Sequence, residues 1–488
     1  MVQTRSGKKT SKTDDEKKPL LTKMKTKDIN NIILLVILYL LQGVPLGLSF
    51  GSVPYLLKSK LNYSDLALFS LSSYPYSLKL LWSPIVDSLY FKSIGRRKSW
   101  ILPIQFILGI CLVFVGYHID ELLEGDIPVT MIAVVFTIMV FLCATQDIAV
   151  DGWALSLLTD ENKTYASTAQ TIGLNTGYFL SFTVFLAFNS PEFCNAYIRS
   201  VPSDSGLLTL GQYLFFWGVM FLICDFFLLF FTETADHFEE ESISSVYKTI
   251  IDICQMKHMQ TFIGILMICK IGFQANEAVT GLKLLELGFN KEYLALSVLL
   301  DFPLQMIFGY YAAKWSSGKR PLLPWLYGFY GRLLAAVVGM AVVYNYPKEG
   351  VTTAYLVVVM SATVLSSFMN TIQFVGMGSF FTKISDPAIG GTYMTFLNTL
   401  TVDYFTVAPC SVNSADGHAI KCADDKHRDQ CKALGGSCNY IQDGYYYVNT
   451  ACFIFGLLSL LLYIKPQIKK LEGLSDDLWR LSKYKKTK

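Results

Sequence analysis

The sequence predicts an all-α membrane protein with twelve transmembrane helices in two six-helix halves. Three observations lead there. The chain of 488 residues is 52% hydrophobic and only 16% charged, against about 25% charged in an average soluble chain. Apolar runs of about 20 residues, long enough to cross a hydrocarbon core, recur along its whole length. A basic turn follows the second run and returns after the eighth.

The runs fall at 31–53, 66–89, 100–118, 129–150, 166–189, 209–231, 258–280, 293–313, 322–344, 351–375, 388–409 and 445–464. The first carries Gly43, Pro45 and Gly47, residues that serve close helix packing and kinks. The second holds Lys79 between Leu78 and Leu80 and ends on Asp87. A charge at that depth costs about 2.5–3.5 kcal/mol by insertion scales, so it is expected to face a polar cavity or a counter-charge. The third opens directly after Gly95-Arg96-Arg97-Lys98. The fourth carries Asp147, with Asp151 at its very end, four residues on and therefore on the same helix face. The seventh is interrupted by charge, with Lys270, Gln274 and Glu277 about one turn apart. The eighth carries Asp301, the ninth Arg332 and the eleventh Asp403.

Around these runs the chain divides into a basic tail (1–28), an N-terminal half (29–231), a linker (232–257) that is acidic at first, a C-terminal half (258–464) and a second basic tail (465–488). Residues 1–28 lack the apolar stretch and small-residue cleavage site of a signal peptide. Lys and Arg concentrate in both tails, after segment two (Lys92, Arg96, Arg97, Lys98) and after segment eight (Lys314, Lys319, Arg320). All of these share one side of the bilayer, and the positive-inside rule makes that side cytosolic. The long loop 410–444 then lies on the other side. Its four cysteines, Cys410, Cys422, Cys431 and Cys438, fit two disulfides in an oxidising lumen, with three pairings open. His418 and His427 keep a metal site as the alternative, although no CxxC pair is present.

Location can be read from short signals. The chain ends Lys485-Lys486-Thr487-Lys488, a dilysine pattern for retrieval to the endoplasmic reticulum or an ordinary basic tail. Glu16-Lys17-Lys18-Pro19-Leu20-Leu21 has the form of an endosomal dileucine signal. The endoplasmic reticulum membrane, with both termini cytosolic, is the expected location. Asn62-Tyr63-Ser64 is a luminal glycosylation sequon in this topology.

Two six-helix halves with a repeated basic turn resemble the major facilitator transporters, whose substrate site lies at the midplane between halves. The Asp87 to Lys98 turn resembles that superfamily's motif, with Ser83 where glycine is usual and extra residues before Gly95. Longer stretches resemble the family of the acetyl-coenzyme A transporter and the bacterial muropeptide permeases. They are Gln42-Gly-Val-Pro-Leu-Gly47, Phe69 to Asp87, Gly95 to Trp100, Ala144 to Trp153 and Gln170 to Asn175. Cys431 to Cys438 and Asp443-Gly444-Tyr445 resemble the eukaryotic acetyl-coenzyme A branch. The resemblance spans residues 30–465. It implies transport of acetyl-coenzyme A from the cytosol to the reticulum lumen by alternating access, supplying acetyl groups for luminal acetylation. Another polyanion or a muropeptide-like solute is the alternative.

Acetyl-coenzyme A is a polyanion with an aromatic base, so its site needs cations, donors and an aromatic surface. The expected binding residues are Lys79, Tyr74, Tyr76, Gln42, Lys270, Gln274, Glu277, Arg332, Asp147 and Asp151. Each also has a plainer reading: Lys79 and Arg332 as helix ties, Lys270 and Glu277 as an internal salt bridge, the tyrosines as packing. Asp147 and Asp151 are equally placed to close the cytosolic end against Arg96, Arg97 or Lys98. Asp87 with Arg96, Arg97 and Lys98 is the expected gating latch.

An enzyme is the rival class. The five histidines fall in loops or at segment ends, and neither a phosphate-binding Gly-Lys-Ser/Thr loop nor HExxH is present. The expectation is therefore a transporter, with an acyl-coenzyme A enzyme or a receptor as distant alternatives. The lipid bilayer is a partner, no cofactor and no nucleic acid are expected, and a homodimer is left open.

Overall fold

A bilayer offers no partner for backbone N–H and C=O groups, so apolar spanning segments must satisfy them internally as helices. The computed structural model describes residues 26–58, 63–124, 127–159, 162–231, 233, 242–289, 291–316, 320–347, 351–400 and 444–480. Cys410, Cys422, Cys431, Cys438, Asp403, Asn62 and the dileucine and dilysine patterns lie outside them. Nine helices among the described residues are long and apolar enough to span a membrane. In chain order the helical segments are α1 (Lys27–Leu57), α2 (63–88), α3 (Lys98–Leu122), α4 (Val129–Leu157), α5 (Tyr165–Asn189), α6 (Leu210–Leu229) and α7 (Lys257–Leu285). They continue as α8 (Lys291–Ser316), α9 (Leu322–Tyr344), α10 (Thr353–Ile384), α11 (Gly390–Thr399) and α12 (Tyr445–Leu471). The nine spans exclude α2, α8 and α11.

α2 is not one helix. Short α turns alternate with 3-10 turns at Leu71–Ser73 and Lys79–Leu81. Pro84, which has no N–H, disfavours helical geometry just before it, and the helix restarts at Ser83. Lys79 therefore sits in a tightened turn rather than a regular helix. α7 is likewise interrupted at Cys269 and Lys270.

Several helices outrun their apolar stretches. α10 continues to Ile384 rather than stopping near 375, because Phe380, Phe381 and Ile384 are buried in the core of the C-terminal half. The linker also holds structure that its charge pattern does not announce. Ile243–Cys254 is helical, capped by Ser242, whose hydroxyl accepts from Ser245 N–H at 3.2 Å. Its Val246 and Ile253 are fully buried with the C-terminal half, while Tyr247 donates to the Leu81 carbonyl of α2.

Within the N-terminal half, α1 packs on α5 through glycines. A Cβ on Gly43 would strike the Leu174 carbonyl, and one on Gly177 the Leu40 carbonyl. This is the close backbone approach that small residues allow inside a membrane.

The halves meet mainly at the end that carries Gly95–Lys98. There Ser167 of α5 lies 3.2 Å from Ser379 of α10, and the backbone of 388–392 reaches α2 and α4. Nearer the middle, Phe179 of α5 stacks on Phe302 of α8, 3.7 Å between centroids. A 3-10 turn, Asp476–Trp479, folds back on the same end. Trp479 is buried against Phe262 and Phe380, and its carbonyl accepts from the Tyr393 hydroxyl of α11 at 3.1 Å.

Candidate functional site

Three groups of buried charged side chains stand out among the described residues. The first is in the N-terminal half. The tightened turn in α2 turns the Lys79 ammonium towards α4, where it forms an ion pair with Asp147; both side chains are buried. The ammonium also lies over the Tyr76 ring, 4.4 Å from its centroid, a favourable cation–π geometry. Trp82 adds a bond from Nε1 to Thr145 Oγ1 at 3.1 Å, so two successive turns of α2 are fixed to α4.

Asp151, one turn further along α4, has neutral partners in place of a cation. Its Oδ1 accepts from the Tyr39 hydroxyl at 2.7 Å and Gln170 Nε2 at 3.1 Å. Its Oδ2 faces Asn398 Nδ2 of the other half at 3.4 Å. Asp147 and Asp151 thus share a face but not a role: one holds α2, the other gathers α1, α5 and α11. Neither pairs with Arg96, Arg97 or Lys98. Gln42 is fully buried, and neither of its amide atoms has a hydrogen-bond partner among the described residues. Tyr74 is exposed and Tyr76 half-buried.

The second group is the turn between α2 and α3. Asp87 pairs with Arg97 and its other oxygen accepts from the Thr392 N–H at the start of α11, 2.6 Å away. A carboxylate at a helix N-terminus is favoured by the unpaired amides there. Arg96 donates to the Asp87 carbonyl at 2.7 Å and to the Ala388 carbonyl at 2.5 Å. Asp87 and Arg96 therefore each hold the opposite half. Lys98 is turned elsewhere: its ammonium donates to the Leu229 and Phe231 carbonyls at 3.2 and 2.6 Å. Glu233, absent from the sequence-based list, accepts from the Arg97 and Lys98 N–H groups at 3.0 Å each. Gly95 makes this possible with φ +107°, a conformation strained for other residues.

The third group is in the C-terminal half. Arg332 of α9 forks onto Glu277 of α7, with Nε to Oε1 at 2.8 Å and Nη2 to Oε2. Its Nη1 donates to Gln373 Oε1 of α10 at 2.8 Å, and its guanidinium lies over Phe273, 3.7 Å from the centroid. Glu277 thus pairs with Arg332, although Lys270 lies on its own helix. Lys270 and Gln274 are half-buried on α7. Asp301 of α8 accepts from Gln305 Nε2 at 2.6 Å.

The structure brings Lys79, Tyr76 and Asp147 together, and separately Arg332 and Glu277, one group in each half. Apart from Glu233, the residues that sequence reasoning missed are neutral: Tyr39, Gln170, Asn398 and Gln373. Gln170 alone lay in a quoted motif; the others are single polar residues in apolar or mixed runs.

Helices in two halves, ion pairs at membrane depth and a charged turn reaching across to the other half make up a major facilitator fold. Comparison with solved structures agrees: the Escherichia coli fucose:proton symporter superposes with a TM-score of 0.56 over 92% of this chain and 100% of that one, at 13% identity. The sequence profile described as Acetyl-coenzyme A transporter 1 matches residues 31–238, 232–323 and 318–481, so the chain belongs to that family. It is 39% identical to an uncharacterized membrane protein of Saccharomyces cerevisiae, covering 93% of this chain and 97% of the relative. Over 149 residues it is 28% identical to the anhydromuropeptide permease of Escherichia coli K12, covering 30% of this chain and 29% of the permease. Family and fold are those of a transporter and not of an enzyme.

Proposed function

We propose that this transporter carries acetyl-coenzyme A from the cytosol into the lumen of the endoplasmic reticulum by alternating access, with both termini cytosolic. The observation that carries the reading is the match to the acetyl-coenzyme A transporter family along nearly the whole chain. The chemistry is consistent with it: each half holds a buried cation, Lys79 or Arg332, at membrane depth. Tyr74, Tyr76, Gln42, Lys270 and Gln274 complete the proposed binding residues, with Asp147, Asp151 and Glu277 balancing the cations.

In this conformer the end bearing Asp87, Arg96 and Arg97 is closed. Loading from that side requires the bonds to Thr392 and Ala388 to break and the halves to rock apart. Because Asp87 also caps α11, separation uncovers a carboxylate, an arginine and helix-terminal amides together, and water must replace those partners. The luminal loop with its four cysteines and the dilysine ending belong to the same reading of the compartment.

A second reading, transport of a muropeptide-like solute, is favoured by the likeness to the bacterial permease. Competition separates the two. Uptake of labelled acetyl-coenzyme A by proteoliposomes, blocked by excess coenzyme A but not by an anhydromuropeptide, supports the first. The reverse pattern of competition supports the second.

A further inference from the structure

Arg332 is prepared for an anion that Glu277 now supplies. The arginine side chain is only 7% exposed and Glu277 is 30% exposed, so the fork is held inside the protein and its occupant is open to solution. Two groups fix the guanidinium independently of Glu277. Gln373 Oε1 accepts from Nη1 at 2.8 Å, the Phe273 ring lies 3.7 Å from the guanidinium, and Arg332 itself sits on a helix face with Phe329, Leu333 and Ala336 buried. Gln373 and Phe273 are themselves buried. The edge formed by Nε and Nη2 faces Glu277 and matches any group offering two anionic oxygens, carboxylate or phosphate alike. An exposed acid at membrane depth belongs in a water-filled cavity, since lipid contact would be costly.

We propose that Glu277 is a built-in competitor for a substrate phosphate: the incoming anion displaces it from Arg332, and Glu277 returns to expel the anion on the release side. This rests on the polyanion reading above and adds a role to it. An unopposed buried arginine would bind a phosphate too firmly for turnover. With Glu277 present the arginine exchanges one anion for another, so it is not left buried without a partner, the costly state.

The test is kinetic. Glu277→Gln keeps a carbonyl oxygen for Arg332 but removes the competing charge. In proteoliposomes its KM for acetyl-coenzyme A should fall about fivefold, the equivalent of one exposed ion pair, with slower release lowering kcat. In an Arg332→Lys background, which cannot fork, the same change should give no gain in affinity. A plain tie between α7 and α9 predicts otherwise: Glu277→Gln then lowers the melting temperature and leaves KM unchanged, and that result overturns the proposal. Thermal shift with inorganic pyrophosphate as the probe reads the site apart from what is transported. Glu277→Gln should be stabilised at about fivefold lower pyrophosphate than the unmodified protein. Equal concentrations for both reject the exchange, whereas failure of acetyl-coenzyme A uptake alone rejects only the substrate.

Discussion

Lys79 shows how a single residue serves both fold and site. Its ammonium pairs with Asp147 and lies over the Tyr76 ring. Removing one member of a buried pair strands the other, a loss of about 3–5 kcal/mol. Lys79→Ala is therefore expected to lower thermal stability sharply, and joint replacement of Lys79 and Asp147 by alanine should recover much of it. Melting curves of the three proteins decide this; a single variant as stable as the unmodified protein means that the pair does not hold α2 to α4. Transport losses in Lys79→Ala alone report folding as well as binding, so the double variant is the useful one in flux assays. Tyr39→Phe is a milder case. It removes a 2.7 Å bond to a buried carboxylate, worth about 1.5–3 kcal/mol, and should lower the melting temperature while retaining packing; no change means that Gln170 and Asn398 satisfy Asp151 without it. The sequence exposes Lys79, Asp147 and Asp151 because charges stand out in apolar runs. It does not expose Tyr39 or Asn398, since a tyrosine or asparagine in a helix carries no mark of its partner.

At the scale of elements the informative contact is α11 against α2 and α4. A Cβ on Gly391 would lie 2.6 Å from the Ile148 carbonyl and 3.0 Å from Asp87 Oδ1. Gly391→Val should keep the halves apart at this end and favour the conformer open there. Asp87→Asn and Arg96→Ala should move the balance the same way by weakening the bonds to Thr392 and Ala388. A cysteine in place of Ser167, which is buried against Ser379, reports the change: a soluble thiol reagent applied from that side should modify it faster in the variants. Equal rates would mean that α11 does not set closure. The Asp87 to Lys98 motif made the charged side of this contact legible in the sequence. Its partners were not, because Thr392 contributes a backbone amide and Ala388 a backbone carbonyl, and backbone groups are the same at every position. The breaks in α2 were half-legible. Pro75 and Pro84 mark it as irregular, but placing Lys79 in the tightened turn required the packing against α4. The linker helix was hidden by the acidic residues before it.

At the scale of the molecule, the class of fold follows from composition and the spacing of apolar runs, because a bilayer admits few alternatives to helices. The exact extents do not, since helices continue wherever their ends find a buried face, as α10 does through Phe380 and Ile384. Which solute crosses is a further step, and the proposal of acetyl-coenzyme A rests on family membership and on the cations Lys79 and Arg332, one from each half. The direct test is uptake of acetyl-labelled acetyl-coenzyme A by purified protein in proteoliposomes, with unlabelled competitors and the double label of acetyl and adenine to show that the molecule arrives intact. The account predicts saturable uptake of the intact molecule, blocked by coenzyme A and not by an anhydromuropeptide. Uptake no greater than in empty liposomes, from protein shown by its melting curve to be folded, would contradict it.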